Sequence, residues 1–129
     1  MRPLFEAKSI DRTRDEVISL LAGLRSAGKT IAGFGAPAKA TTLMYHFGIT
    51  KDIISFIADD NPLKQGLFTP GLRIPVVHAS HIYEKQPDYI VILAWNFAES
   101  IMKKHENFLL TGGRFIVPLP ELRVVKKLP

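Results

Sequence analysis

Cysteine is absent from all 129 residues, which removes disulfides, thiolate zinc sites and cysteine nucleophiles from the chemistry open to this chain. No run approaches the roughly 18 apolar residues that a membrane helix needs. The opening Met1-Arg2-Pro3-Leu4-Phe5-Glu6 is charged and has no signal-peptide apolar region. A cytoplasmic protein without membrane contact is the expectation. Internal repeats and low-complexity segments are also missing. No acidic pair has a spacing that demands acid/base work, no serine sits in a nucleophile elbow, and His78 and His81 lack a third metal ligand among only four histidines. The expectation is therefore no catalytic residue and no metal site.

What remains is ordinary globular material. The 47% hydrophobic and 22% charged fractions rule out a disordered segment, and the length suits one domain able to bury roughly two-thirds of its unfolded surface. Seventeen basic against twelve acidic residues give a formal charge of +5, which suits an anionic partner. The short clusters Lys103-Lys104-His105 and Lys126-Lys127 carry no interleaved aromatics, so they read as solvated faces and nucleic acid is not expected.

Apolar periodicity predicts a helix over residues 14–27, with Val17, Leu20, Leu21 and Leu24 on one face and Gly28 as its stop. Residues 1–11 show no such order and read as a linker remnant, leaving residues 12–129 as the domain. Strands are predicted over residues 30–34, 53–58, 74–77, 89–94 and 113–117, alternating with helices over 37–47, 79–85 and 97–110. Pro75 cannot donate to a ladder and marks the third strand as an edge. With right-handed crossovers these elements predict an α/β, Rossmann-like, open parallel five-stranded sheet of order 3-2-1-4-5, with helices on both faces.

In such a sheet, ligands sit beyond the strand C-termini where the connections reverse direction, here between strands one and four. Gly33, Gly35 and Ala38 fit a G-x-G-x-x-A turn after the first strand, and Pro37 suits the first helical position. The free N–H groups of Ala36 and Ala38 and the positive helix end would suit a phosphate-sized anion. Lys39, in the first helical turn, opposes the macrodipole unless an anion compensates, though a solvated lysine is the alternative. Asp59 ends strand two, where Rossmann proteins place a ribose-binding carboxylate; Asp59-Asp60-Asn61-Pro62 is equally a turn sequence. Across the crevice, Trp95 either stacks on a base or sugar or packs inside, and Asn96 either caps its helix or bonds a ligand.

Five ordered motifs carry a resemblance. They are Gly33-Phe34-Gly35-Ala36-Pro37-Ala38-Lys39; Asp59-Asp60-Asn61-Pro62-Leu63-Lys64-Gln65-Gly66; Pro70-Gly71-Leu72-Arg73-Ile74-Pro75-Val76; Trp95-Asn96-Phe97-Ala98-Glu99; and Gly112-Gly113-Arg114-Phe115-Ile116-Val117-Pro118-Leu119-Pro120-Glu121. With these motifs, residues 17–121 resemble the Rossmann-like C-terminal domain of bacterial S-adenosylmethionine-dependent nucleotide-sugar C-methyltransferases. Ala40 departs from the glycine that similar sequences often carry.

The resemblance implies a three-part parent: a cysteine-ligated zinc module, a central S-adenosylmethionine domain that supplies the catalytic groups, and this domain. It implies methylation of a carbon beside the ketone of a nucleotide-diphosphate deoxysugar, through proton abstraction and attack of the enolate on the methyl donor. This chain has neither the zinc cysteines nor a second glycine-rich strand turn. It therefore reads as an excised, inactive substrate-binding half, with no cofactor of its own. On this reading zinc and S-adenosylmethionine belong to the missing domains, which are its partners together with the nucleotide-sugar. Gly35, Ala36, Pro37, Ala38 and Lys39 would hold the diphosphate, while Lys64, Gln65, Trp95 and Asn96 would contact nucleotide or sugar; Gly33, Asp59 and Asn61 complete the expected substrate-binding set. Two alternatives stay open: an NAD-binding oxidoreductase domain using Asp59, and a non-catalytic interdomain interaction module.

Overall fold

The computed structural model describes residues 2–35, 44, 46–61, 66, 69, 73–119 and 121–127, with side chains from residue 12 onward. The first helix, α1 (Arg2–Ser26), begins well before residue 14 and includes the segment in which no order was expected. In its second half Val17 and Leu21 are buried, with Leu20 and Leu24 partly buried against the same core. Once that half is helical, each further residue adds a hydrogen bond without a new nucleation cost, and residues 4–22 hold neither glycine nor proline. Gly28 closes the helix with φ +82°, as expected.

Five parallel strands follow: β1 (Ile31–Phe34), β2 (Ile57–Asp59), β3 (Val76–His78), β4 (Tyr89–Ile92) and β5 (Arg114–Val117). Their order is 3-2-1-4-5, as the crossovers and Pro75 predict. The expectation of five strands was nevertheless incomplete. A sixth, β6 (Arg123–Val125), pairs antiparallel with β5, so the sheet reads β3-β2-β1-β4-β5-β6. It is short and mostly exposed, with Arg123 at its start and Lys126 and Lys127 just beyond it. Charges of this kind blunt an edge strand and erase its apolar signature.

Period-two alternation divides the core between the two faces of the sheet. Ile31, Ile57, Val91, Leu93 and Ile116 face α1 and the Met44–Phe47 region, whereas Phe34, Ala58, Ile90, Ile92, Phe115 and Val117 face α2 (His81–Lys85), α3 (Ala98–Lys104) and α4 (Glu106–Leu110). The helix predicted over residues 37–47 lies mostly outside the described residues, although Met44 and His46 are helical.

Two boundaries differ from expectation for local reasons. Residues 53–56 are not strand, because the Thr50 carbonyl accepts the Ile53 and Ile54 N–H groups at 3.0 Å each and its hydroxyl accepts Asp52 N–H at 3.3 Å. The helix predicted over 97–110 is broken: a 3₁₀ turn covers Trp95–Phe97, and α3 and α4 are separated at His105 (φ −110°, ψ 33°). At the opposite end of the sheet, Thr30 and Asp88 tie β1 to β4. The Asp88 carboxylate accepts Thr30 N–H at 2.8 Å, and Asp88 N–H donates to the Thr30 hydroxyl at 3.0 Å. Among the described residues no helix is long and apolar enough to cross a membrane.

Candidate functional site at the strand ends

β1 pairs with β2 on one side and β4 on the other, so the reversal of connection direction falls between β1 and β4. The chain leaves β1 at Gly35, whose φ is +88°. An alanine Cβ at this position would lie 2.6 Å from the Ala94 Cβ and 3.2 Å from the Ala94 nitrogen. Left-handed backbone and close approach thus both require glycine here. Gly35 also donates its N–H to the Ala58 carbonyl at 2.8 Å, while the Phe34 carbonyl accepts Leu93 N–H at 2.9 Å. The exits of β1, β2 and β4 are therefore locked together around one glycine.

This arrangement brings Gly35, Asp59, Asn61, Trp95 and Asn96 to three adjacent strand ends. Gly33 does something different. A Cβ on it would lie 3.0 Å from Leu93 Cδ1 and 3.3 Å from Ile57 Cγ1, so its smallness lets side chains from β2 and β4 meet across β1. Asp59 takes up the turn geometry that its sequence allows: one carboxylate oxygen accepts Asn61 N–H at 2.8 Å. Asn96 is exposed and does not cap α3, because the cap position is Phe97 and no side-chain bond is made there. Trp95 is half-buried, and the most open aromatic of this loop is Phe97, 66% exposed. Ala36, Pro37, Ala38, Lys39, Lys64 and Gln65 lie outside the described residues.

A polar cluster that the sequence did not reveal stands behind these loops. His105, only 6% exposed, has Nδ1 2.9 Å from the Tyr83 hydroxyl and Nε2 3.3 Å from Asp60 Oδ2. Its ring lies 4.9 Å from that of Phe34, and Lys104 Nζ reaches the same Asp60 oxygen at 3.2 Å. His105, Tyr83 and Asp60 come from three separate elements, so no spacing could have announced them. The one sequence hint was a histidine inside an otherwise helical run.

Burial alone would raise the Asp60 carboxyl, but hydrogen bonds from His105 and Lys104, with their charges, outweigh it and hold the group below its ordinary 3.8. Burial first, and repulsion from Asp60 second, push the Tyr83 hydroxyl above its ordinary 10.0. A carboxyl with a depressed folded pKa adds stability that is present above the unfolded value and is lost as pH falls through the folded one. Asp60→Asn should therefore melt below wild type near neutrality, and the gap should close only as pH falls below 3.8, toward the lowered folded value. Thermal midpoints across that range check this; a gap independent of pH would contradict it.

Two open grooves flank the β5 and β6 side. One of about 760 Å³ is lined by Arg12, Thr13, Glu16, Glu99, Glu121, Leu122 and Arg123. The other, about 640 Å³, runs along β6 from Glu99 and Met102 to Lys127. The Arg123–Glu99 ion pair, 3.1 Å long, belongs to both walls. It is too exposed to contribute more than about 1 kcal/mol. Among the described residues no group of three or more histidine or acidic side chains could hold a metal ion.

The sequence as a whole matches a known family. Its model, described as the C-methyltransferase C-terminal domain, matches residues 5–120. The chain belongs to this family. It is also 42% identical over 119 residues to the C-methyltransferase NovU of Streptomyces niveus, an alignment covering 92% of this chain and 28% of that protein. The chain thus spans little more than a quarter of that relative's length. The family match begins inside α1, within the segment whose sequence read as a linker.

Proposed function

We propose that this C-methyltransferase C-terminal domain is the substrate-binding half of its parent enzyme and holds a nucleotide-diphosphate keto-deoxysugar at the β1–β4 crevice. The observation that carries the reading is the convergence of three strand exits on Gly35, within a domain of this family. Asp59, Asn61, Trp95 and Asn96 stand at those exits. Their neighbours in sequence, Ala36, Pro37, Ala38, Lys39, Lys64 and Gln65, supply the N–H groups, cations and amide that a diphosphate and a sugar require. The exposed aromatic ring of Phe97 adds a face on which a base can stack.

In this division of labour the domain binds and orients. Proton abstraction beside the ketone and transfer of the methyl group belong to a separate domain that carries S-adenosylmethionine, and zinc belongs to a third. The residues of this chain do not fit zinc: cysteine is absent, and the described residues offer no cluster of alternative ligands. The NAD reading has less support, because the family match is to a C-methyltransferase domain.

Calorimetric titration with thymidine diphosphate, and with a thymidine diphosphate sugar, tests the proposal on this chain and its Lys39→Ala variant. A charge-assisted hydrogen bond contributes about 1.5–3 kcal/mol, so Lys39→Ala should weaken binding by about ten- to a hundredfold. Equal affinity in the two proteins would remove Lys39 from the site. No binding to either ligand, with a response to NAD instead, would replace the substrate by a dinucleotide.

A further inference from the structure

We infer that His105 is a positioning residue for the substrate crevice, fixing the exit of β2 through its hydrogen bond to Asp60. This rests on the crevice being the nucleotide-sugar site.

His105 reaches the exits of two strands. Its ring contacts Phe34, which immediately precedes Gly35, and bonds Asp60, which immediately follows Asp59. One nearly buried imidazole thereby reaches the neighbours of two proposed site residues on two different loops, while contacting neither site residue in these ways. The third loop is fastened separately, by Leu93 N–H on the Phe34 carbonyl.

Hydrogen-bond bookkeeping shows how the ring is held. Neutral imidazole has one donor and one acceptor. If Tyr83 donates to Nδ1, then Nε2–H donates to Asp60, and both nitrogens are satisfied in one tautomer. If the ring is protonated, Nδ1–H donates to the Tyr83 oxygen and Nε2–H still donates to Asp60. Asp60 is anchored in both states, and Lys104 bonds the same oxygen. The groups that bond or stack on the ring are Tyr83 on α2, Asp60 after β2 and Phe34 on β1, and Lys104 on α3 shares the Asp60 oxygen. The helical run breaks at His105, so the ring sits at the junction of α3 and α4. Loops that bind a ligand gain precision when a buried hydrogen-bonded group fixes them from behind.

Two substitutions separate positioning from mere packing. The amide nitrogen of glutamine falls near the position of Nε2, so His105→Gln keeps a donor for Asp60. Asparagine reaches only to the position of Nδ1, so His105→Asn keeps the Tyr83 link and releases Asp60. Both remove the ring from Phe34. Thymidine diphosphate affinity, thermal midpoint and the amide proton and nitrogen shifts of Asp59, Asp60 and Asn61 are measured for each, with Asp60→Ala alongside. His105→Asn and Asp60→Ala should each weaken binding by about tenfold, while His105→Gln stays within about threefold of wild type. The Asn61 amide should move in His105→Asn and stay in place in His105→Gln.

Equal affinity loss in the two histidine variants would overturn the inference, since it would trace the effect to lost packing. Folded His105→Asn with wild-type affinity and an unmoved Asn61 amide would also overturn it. Should His105→Asn fail to fold, Asp60→Ala decides: retained affinity refutes and reduced affinity supports. Should wild type bind no thymidine diphosphate, the substrate reading fails by itself. The Asn61 shift then decides whether His105 positions the β2 exit.

Discussion

Gly35→Ala is expected to destabilise the domain by about 2–4 kcal/mol, combining the cost of a left-handed non-glycine residue with overpacking in a tight site. In a domain of this size that lowers the melting midpoint by about 7–15 °C. The cause is local and double. At φ +88° any Cβ is strained, and here it would also press on Ala94, whose Cβ stands 2.6 Å away. Relief requires the β1 exit to rotate or the β4 exit to withdraw. Rotation breaks the Gly35 N–H bond to Ala58, and withdrawal breaks the Leu93 N–H bond to Phe34. Because Ala58 precedes Asp59 and Ala94 precedes Trp95, either movement also displaces candidate ligand groups. Thymidine diphosphate affinity of the fraction still folded should therefore fall by about tenfold, beyond what unfolding explains. Chemical denaturation combined with calorimetry at low temperature separates the two effects. A variant as stable and as tight-binding as wild type would mean that Gly35 does not hold the loops together.

Legibility of this fold in its sequence follows the physics of each signal. The strand order 3-2-1-4-5 could be read because Pro75 fixes an edge and crossover handedness fixes the rest. Strand β6 could not, since an exposed edge strand is written in charges instead of alternating apolar residues. The first half of α1 was hidden because residues 1–11 show no apolar period in the sequence. At the site, Gly35 was legible from the spacing of small residues, and the structure supplies the contact that explains it. Gly33 was legible as a required glycine, but its requirement is side-chain packing across β1. The Asp60–His105–Tyr83 cluster was not legible, because its members lie 22 to 45 residues apart in pairs and meet only through tertiary packing.

Gly113→Ala provides the contrast that makes the Gly35 result interpretable. Gly113 precedes β5, at the end of the sheet away from the crevice. Its backbone is not in the left-handed region, so the expected damage comes entirely from contact. A Cβ there would run into the face of the Phe108 ring, with Cε1 at 2.5 Å. Phe108 is 2% exposed and packs against Phe115 with ring centroids 5.3 Å apart, so it has no empty space into which to move. Expelling or tilting that ring forfeits much of its burial, and a loss of about 3–5 kcal/mol is expected, as large as truncating a buried phenylalanine. The same cause predicts strong non-additivity. In the Phe108→Ala background, Gly113→Ala should cost less than about 1 kcal/mol, because the ring it collides with has gone. Additive losses in that cycle would locate the strain in the backbone instead. Thymidine diphosphate affinity of the folded fraction should stay within about twofold of wild type, because the disturbance sits beneath α4 and not at the exits of β1, β2 or β4. Comparable stability losses at the two glycines, with affinity lost at only one of them, would separate the role of Gly35 in the crevice from its role in the fold.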